Sequence, residues 1–211
     1  MEQLFPDLWQ TQREHPFFGV TTHAYLLTRD DGNVMLYGTG QFDEFAKIHQ
    51  LGGIIRQYLS HRDEAGPPLV TVRDTFHSEL CCHSLEAEVI RPICPVDITF
   101  DTCETHLGGD LDVIPTPGHT NGSTCYFYRS PHGKNYLFTG DSIFPKVMSW
   151  GTLINTGSGG RASDLKNSLA KLKDLRPDVV ISSASVARSS VQEVSHDEWK
   201  SILDKAIFDL K

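Results

Sequence analysis

Two packed β-sheets covered by helices, in one domain of mixed α/β (α+β) class, is the architecture this sequence predicts. Three observations lead there. Short apolar runs bounded by Gly, Pro, Asn and Asp recur through the chain and read as strands. A few stretches switch to helical spacing of their apolar residues, before or after clusters of strands. The 211 residues suffice for one large core, and no linker or short-period repeat divides them, so a single domain over residues 1–211 is expected.

"HAYLLT" (His23–Thr28) and "NVMLYG" (Asn33–Gly38) flank "RDDG", whose Asp-Gly is a hairpin turn signal. "QFDEFAKIHQLGG" then places Phe42, Phe45, Ala46 and His49 on one helical face, with Gly52-Gly53 as the stop. Ile54–Ser60 returns to strand, and Pro68–Val72 reads as another short one. "HSELCCHSLEAEVI" reads as a short helix leading into a strand. Further strands are expected around Ile98, around Val113, over Ser123–Arg129 and over Asn135–Gly140, with Pro-His-Gly at 131–133 turning between the last two. A Gly/Ser-rich loop precedes a helix from about Ser163 to Leu175, and "PDVVISSA" is a buried-type strand. The last helix opens with a capping-box pattern, Ser195 and Glu198, and carries the stripe Trp199, Ile202, Leu203, Ala206, Ile207 and Leu210.

Hydrophobic content of 39% with 22% charged residues is that of a soluble globular chain. A net charge of −8 without a basic patch argues against nucleic acid or an anionic membrane as partner, leaving a small molecule as the expected one; oligomeric state is not legible. "MEQLFPDLWQ" lacks the charged and apolar regions of a signal peptide, and no apolar run approaches the roughly 20 residues that span a bilayer. Five cysteines without framework spacing point to reduced thiols in the cytoplasm.

Three segments place metal-ligand residue types just after a strand. "LSHRDEAG" carries His61, Asp63 and Glu64; on an extended backbone His61 and Asp63 would share a face and one metal. "PTPGHTNGS" carries His119, and "LFTGD" ends in Asp141. Singly, each reads as easily as a hydrogen-bonding His or a turn-forming Asp. The cluster His77, Cys81, Cys82 and His83 lacks CxxC spacing and reads better as a helix with buried thiols. "GTLINTGSGGR" lacks the P-loop Lys.

Taken together and in order, "HAYLL", "YGTG", "LSHRDEAG", "PTPGHTNGSTCYFY", "LFTGDSIF" and "GRASDLKNSLAKL" resemble the metallo-β-lactamase superfamily over roughly residues 8 to 185. The pair "TPGHTNGS" and "FTGD" is the most specific part. The resemblance implies a four-layer αββα sandwich with metals at the sheet edges. It also exposes departures from the Thr-His-x-His-x-Asp-His loop. His61 matches its first His, but Asp63 stands at the second His, Ala65 at the Asp and Gly66 at the last His. "SSASVA" replaces the closing Gly-His-Gly turn around Ser183, and Gly38 replaces the Asp of Asp-Thr-Gly. "SGGR" with Asp164 resembles the family turn that leads into the penultimate helix.

The family's second metal would keep only Asp141 of its ligands. One divalent metal is therefore expected, zinc ahead of iron or manganese, held by His61, Asp63, His119 and Asp141. It would lower the pKa of a bound water, with Asp63 or Glu64 as general base, and hydrolyse a small ester or thioester. Two alternatives stay open: a catalytically inactive pseudo-enzyme, without metal, whose cleft binds a ligand or partner; and a mononuclear Fe(II) oxygenase-type site.

Overall fold

The computed structural model describes residues 1–210, which form two compact units, one over Met1–Thr99 and one beginning at Phe100.

The first unit is built on a seven-stranded sheet whose strands lie in chain order: β1 (Glu2–Phe5), β2 (Leu8–Gln10), β3 (Tyr25–Leu27), β4 (Val34–Leu36), β5 (Arg56–Tyr58), β6 (Glu79–His83) and β7 (Ile98–Phe100), the last at the unit boundary. The pairs up to β3–β4 are antiparallel, and β4–β5 and β5–β6 are parallel. The expected Asp-Gly hairpin joins β3 to β4, with Asn33 Oδ1 accepting from Arg29 N at 2.9 Å. The parallel pairs require crossovers, supplied by helix α1 (Phe45–Gln50) and helix α2 (Pro68–Phe76). Alternate strand residues Leu26 and Met35 pack with Phe45, Ile48, Ile54 and Val72 from these elements.

Two expectations fail here. Pro68–Val72 is not a strand but the start of α2. Its β-branched residues suggest strand, but Leu69 and Val72 are buried three apart, Phe76 packs on the same core as Val72, and Pro68 sits in the first turn, where its missing N–H costs nothing. The order in "HSELCCHSLEAEVI" is also reversed: strand β6 comes first and helix α3 (Ser84–Ile90) follows. His83 caps α3, its Nδ1 accepting from Leu85 N at 3.1 Å. Cys81 and Cys82 are buried, as expected of structural thiols, but on a strand rather than a helix.

The second unit carries a six-stranded sheet, again in chain order: β8 (Glu104–His106), β9 (Leu111–Pro115), β10 (Thr124–Arg129), β11 (Asn135–Gly140), β12 (Val179–Ser182) and β13 (Val191–Glu193). All its pairs are antiparallel except β11–β12, which is parallel because helix α4 (Ala162–Leu172) makes the crossover. The final helix α5 (His196–Asp209) begins with the predicted capping box: Ser195 Oγ accepts from Glu198 N, and the Glu198 carboxylate accepts from Ser195 N. Leu165, Leu169 and Leu172 of α4 meet Trp199, Leu203 and Ala206 of α5 over Phe127, Leu137 and Val180 of the sheet. The Trp199 indole N–H donates to Leu172 O at 3.1 Å, so this large apolar ring is buried without leaving its one polar atom unpaired. Each unit thus pairs one sheet with its own helices. No described helix is long and apolar enough to cross a membrane.

Candidate metal centre

In the second unit, the chain leaves β9 through Thr116-Pro117-Gly118-His119-Thr120 and returns in β10. This loop is tied to the segment ahead of α4. Asn155 N donates to His119 O at 2.8 Å, Arg161 N to Gly118 O at 3.1 Å, and Ser168 Oγ to Pro117 O at 2.8 Å. Gly118 is required here: its φ is +148°, and a Cβ would lie 2.4 Å from the Leu165 backbone. The loop is therefore tied down at three successive carbonyls, those of Pro117, Gly118 and His119. It presents a buried His119 whose Nδ1 lies 3.2 Å from Leu153 O. A carbonyl only accepts, so Nδ1 carries the proton and Nε2 keeps its lone pair.

Asp141 follows the end of β11 directly. Its Oδ1 accepts from Ser183 Oγ at 2.7 Å, while Oδ2 stands 4.0 Å from His119 Nε2. That separation is too long for a hydrogen bond. It is a small adjustment away from the roughly 3.4 Å between two donors on one tetrahedral ion with bonds of about 2.0–2.1 Å. The pair fits a divalent metal on donor chemistry as well: one imidazole nitrogen and one carboxylate oxygen, each oriented from behind by a hydrogen bond.

In the first unit, His61 is buried at the end of the segment leaving β5. Its Nδ1 lies 2.8 Å from Ser60 Oγ and 3.2 Å from Glu64 Oε1. The Ser60 hydroxyl donates to Glu64 Oε1 through a short bond, and Ser60 N donates to Glu64 Oε2 at 2.8 Å. Ser60 Oγ is then free to accept from His61 Nδ1–H, which again leaves Nε2 as the nitrogen with the lone pair. The turn is held from its other side by Glu86, fully buried, whose Oε2 accepts from Arg62 N at 2.9 Å and whose carboxylate pairs with the Arg62 guanidinium.

The backbone of this loop corrects one expectation. Arg62–Glu64 is a 3₁₀ turn, not an extended run, so the two-residue period that put His61 and Asp63 on one face does not apply. Asp63 is exposed while His61 is buried. Glu64, expected as a general base, has both carboxylate oxygens engaged with Ser60. Sequence reasoning missed Ser60, Glu86, the Leu153 carbonyl and Ser183. Ser60 had a signal in its place beside His61; Glu86, the Leu153 carbonyl and Ser183 depend on long-range contacts. Of the second cluster, His77 closes α2 in a left-handed conformation and His83 caps α3, both structural roles. Burial pushes the Cys82 thiol up to about 12 and the Cys81 thiol still further.

This is a mixed α/β, hydrolase-like fold with histidine and aspartate donors delivered by strand-end loops. The family model of the metallo-beta-lactamase superfamily matches residues 44–184, and the chain belongs to that superfamily. Among solved structures it is similar to a metallo-β-lactamase from Pontibacter korlensis, with 19% identity and a TM-score of 0.75, covering 99% of this chain and 97% of that one. It is also similar to a Cronobacter sakazakii metallo-β-lactamase described by a HARLDQ motif, with 20% identity and a TM-score of 0.63, covering 82% of this chain and 81% of that one. These likenesses show the metallo-β-lactamase fold, and membership of the superfamily implies a divalent-metal site.

Proposed function

We propose that the protein is a metal-dependent hydrolase with a one-metal site, ligated by His61 Nε2, His119 Nε2 and Asp141 Oδ2, acting on a small ester or thioester. The observation that carries this is the approach of His119 Nε2 to Asp141 Oδ2 at 4.0 Å, each side chain fixed from behind. His61 is assigned to the same ion because it matches the first His of the family loop and is held in the same way, by the Ser60–Glu64 pair. Zinc suits two imidazoles and a carboxylate and is preferred to iron or manganese. When bound, such an ion supplies Lewis-acid activation of water and of a carbonyl oxygen.

The chain's own residues do the rest. Leu153 O and the Ser60–Glu64 pair keep a proton on Nδ1 of each histidine, so both rings offer Nε2. Glu86 holds the 61–64 turn through Arg62, which limits the reorganisation needed on ligation. Asp63, on the exposed side of the turn, is assigned no ligand role. Four of the five cysteines are buried and all are free, which suits a reducing compartment such as the cytoplasm.

Metal analysis of protein purified without chelator tests the site, with hydrolysis of an ester, thioester and phosphodiester panel testing the activity. About one zinc per chain and turnover of at least one substrate are expected. A stoichiometry near zero that added Zn²⁺, Fe²⁺ or Mn²⁺ does not raise would instead establish the pseudo-enzyme, in which Asp63, Ala65, Gly66 and Ser183 mark a dismantled site.

A further inference from the structure

We propose that Ser183 is a positioning residue for the metal site: its hydroxyl donates to Asp141 Oδ1 and fixes the orientation in which the carboxylate is presented to an ion. The inference rests on the reading of His119 and Asp141 as ligands, and it concerns how one of them is set.

The sheet itself creates the contact. β11 and β12 are parallel and in register at Gly140 and Ser182, so Asp141 and Ser183 are the next residues beyond two paired strand ends. Ser183 N continues the ladder by donating to Gly140 O at 3.2 Å. With the backbones so joined, the Ser183 side chain reaches Asp141 Oδ1 at 2.7 Å in a site where the serine is only 4% exposed. The neighbouring hydroxyl does not compete, since Ser182 Oγ donates to Ala184 O at 2.6 Å. Asp141 gains further definition from the turn that follows it. Thr139 Oγ1 donates to Ile143 O at 2.8 Å, and Ser142 N donates to Thr139 O at 3.1 Å.

With Oδ1 accepting a buried hydroxyl proton, turning the carboxylate would break that bond and leave the hydroxyl unsatisfied. In the orientation that the bond holds, Oδ2 lies on the His119 side, 4.0 Å from Nε2. Serine at 183 therefore does more than remove a ligand. It sets the direction from which the aspartate meets a metal.

The test uses the full chain, Zn²⁺ or Co²⁺ alone as probe, and Ser183→Ala with the isosteric pair Ser183→Thr and Ser183→Val. Zinc affinity is read by competition with a chromophoric chelator, and ligand geometry by the visible absorption of the Co²⁺ form. Ala and Val should weaken zinc binding by about tenfold or more and alter the Co²⁺ bands, whereas Thr, which keeps the hydroxyl, should stay within about threefold of the parent. The Thr/Val pair preserves side-chain volume and carries the test if the alanine variant does not fold. A parent that binds zinc with variants of unchanged affinity and spectrum overturns the positioning role and leaves the metal site standing. A parent that takes up neither Zn²⁺ nor Co²⁺ overturns both.

Discussion

The backbone oxygen of Glu64 stands 2.9 Å from the point where a Cβ on Gly38 would lie. Position 38 and the loop at 61–66 are both places where this chain departs from the superfamily pattern. Their contact makes the two departures one. The turn at Arg62–Glu64 brings the Glu64 carbonyl against the strand end after β4, and only a residue without a side chain leaves it room. Tyr37 ahead of it adopts a φ of +69°, held by Gln57 Nε2 donating to Tyr37 O at 2.9 Å.

Gly38→Ala should accordingly destabilise the fold by about 1–3 kcal/mol, because a backbone carbonyl cannot swing aside as a flexible side chain would. Gly38→Asp, which restores the family residue, should cost more. Urea denaturation midpoints check this. An Asp variant as stable as the parent would show that the turn yields without cost.

Glu64→Gln should loosen His61. The carboxylate offers one oxygen to Ser60 Oγ and the other to Ser60 N; an amide offers one oxygen and places an N–H against the second donor. Zinc affinity should fall by about tenfold, as for other groups that orient a ligating histidine from behind. Chelator competition measures it, and unchanged affinity would mean that His61 is oriented by other contacts.

The thiols predict a pH dependence. Burial raises Cys82 and Cys125 from an ordinary 9.0 to about 12, and Cys81 beyond that, whereas Cys103 is exposed. The unfolded chain then releases these protons first. Their contribution to stability is complete below about pH 9 and is lost as pH climbs toward 12. The melting temperature should fall between pH 8 and pH 10.5. In native protein near pH 8, an aromatic disulfide reagent should label one cysteine of five quickly and the rest only after denaturation.

Much of this was legible locally. The β3–β4 hairpin, the strand over Asn135–Gly140 and the capping box at Ser195 follow from turn chemistry and short-range pattern. Pro68–Val72 misled because β-branched residues outweighed a helical period that shows only when Phe76 is included. His119 and Asp141 could be named from their motifs. The tautomer of one and the carboxylate orientation of the other could not, because Leu153 and Ser183 lie 34 and 42 residues away in the chain. His61 and Asp63 were paired by assuming an extended backbone. The bond from Arg62 N to Glu86, 24 residues on, helps hold the turn that separates them.

That separation gives the sharpest test of the ligand set. His119→Ala and Asp141→Asn should each reduce bound zinc to a small fraction of the parent's, since each removes a donor from a pair already 4.0 Å apart. Asp63→Ala should leave zinc content and affinity within about twofold, because an exposed carboxylate on the outer side of a 3₁₀ turn has only a screened, solvent-separated effect on a buried imidazole. The three variants are compared by metal analysis after identical loading, with thermal melts confirming that each is folded. Loss of metal in Asp63→Ala equal to that in His119→Ala would return Asp63 to the ligand set and require the turn to unwind on binding. Metal content independent of all three would place the ion elsewhere or remove it from the account.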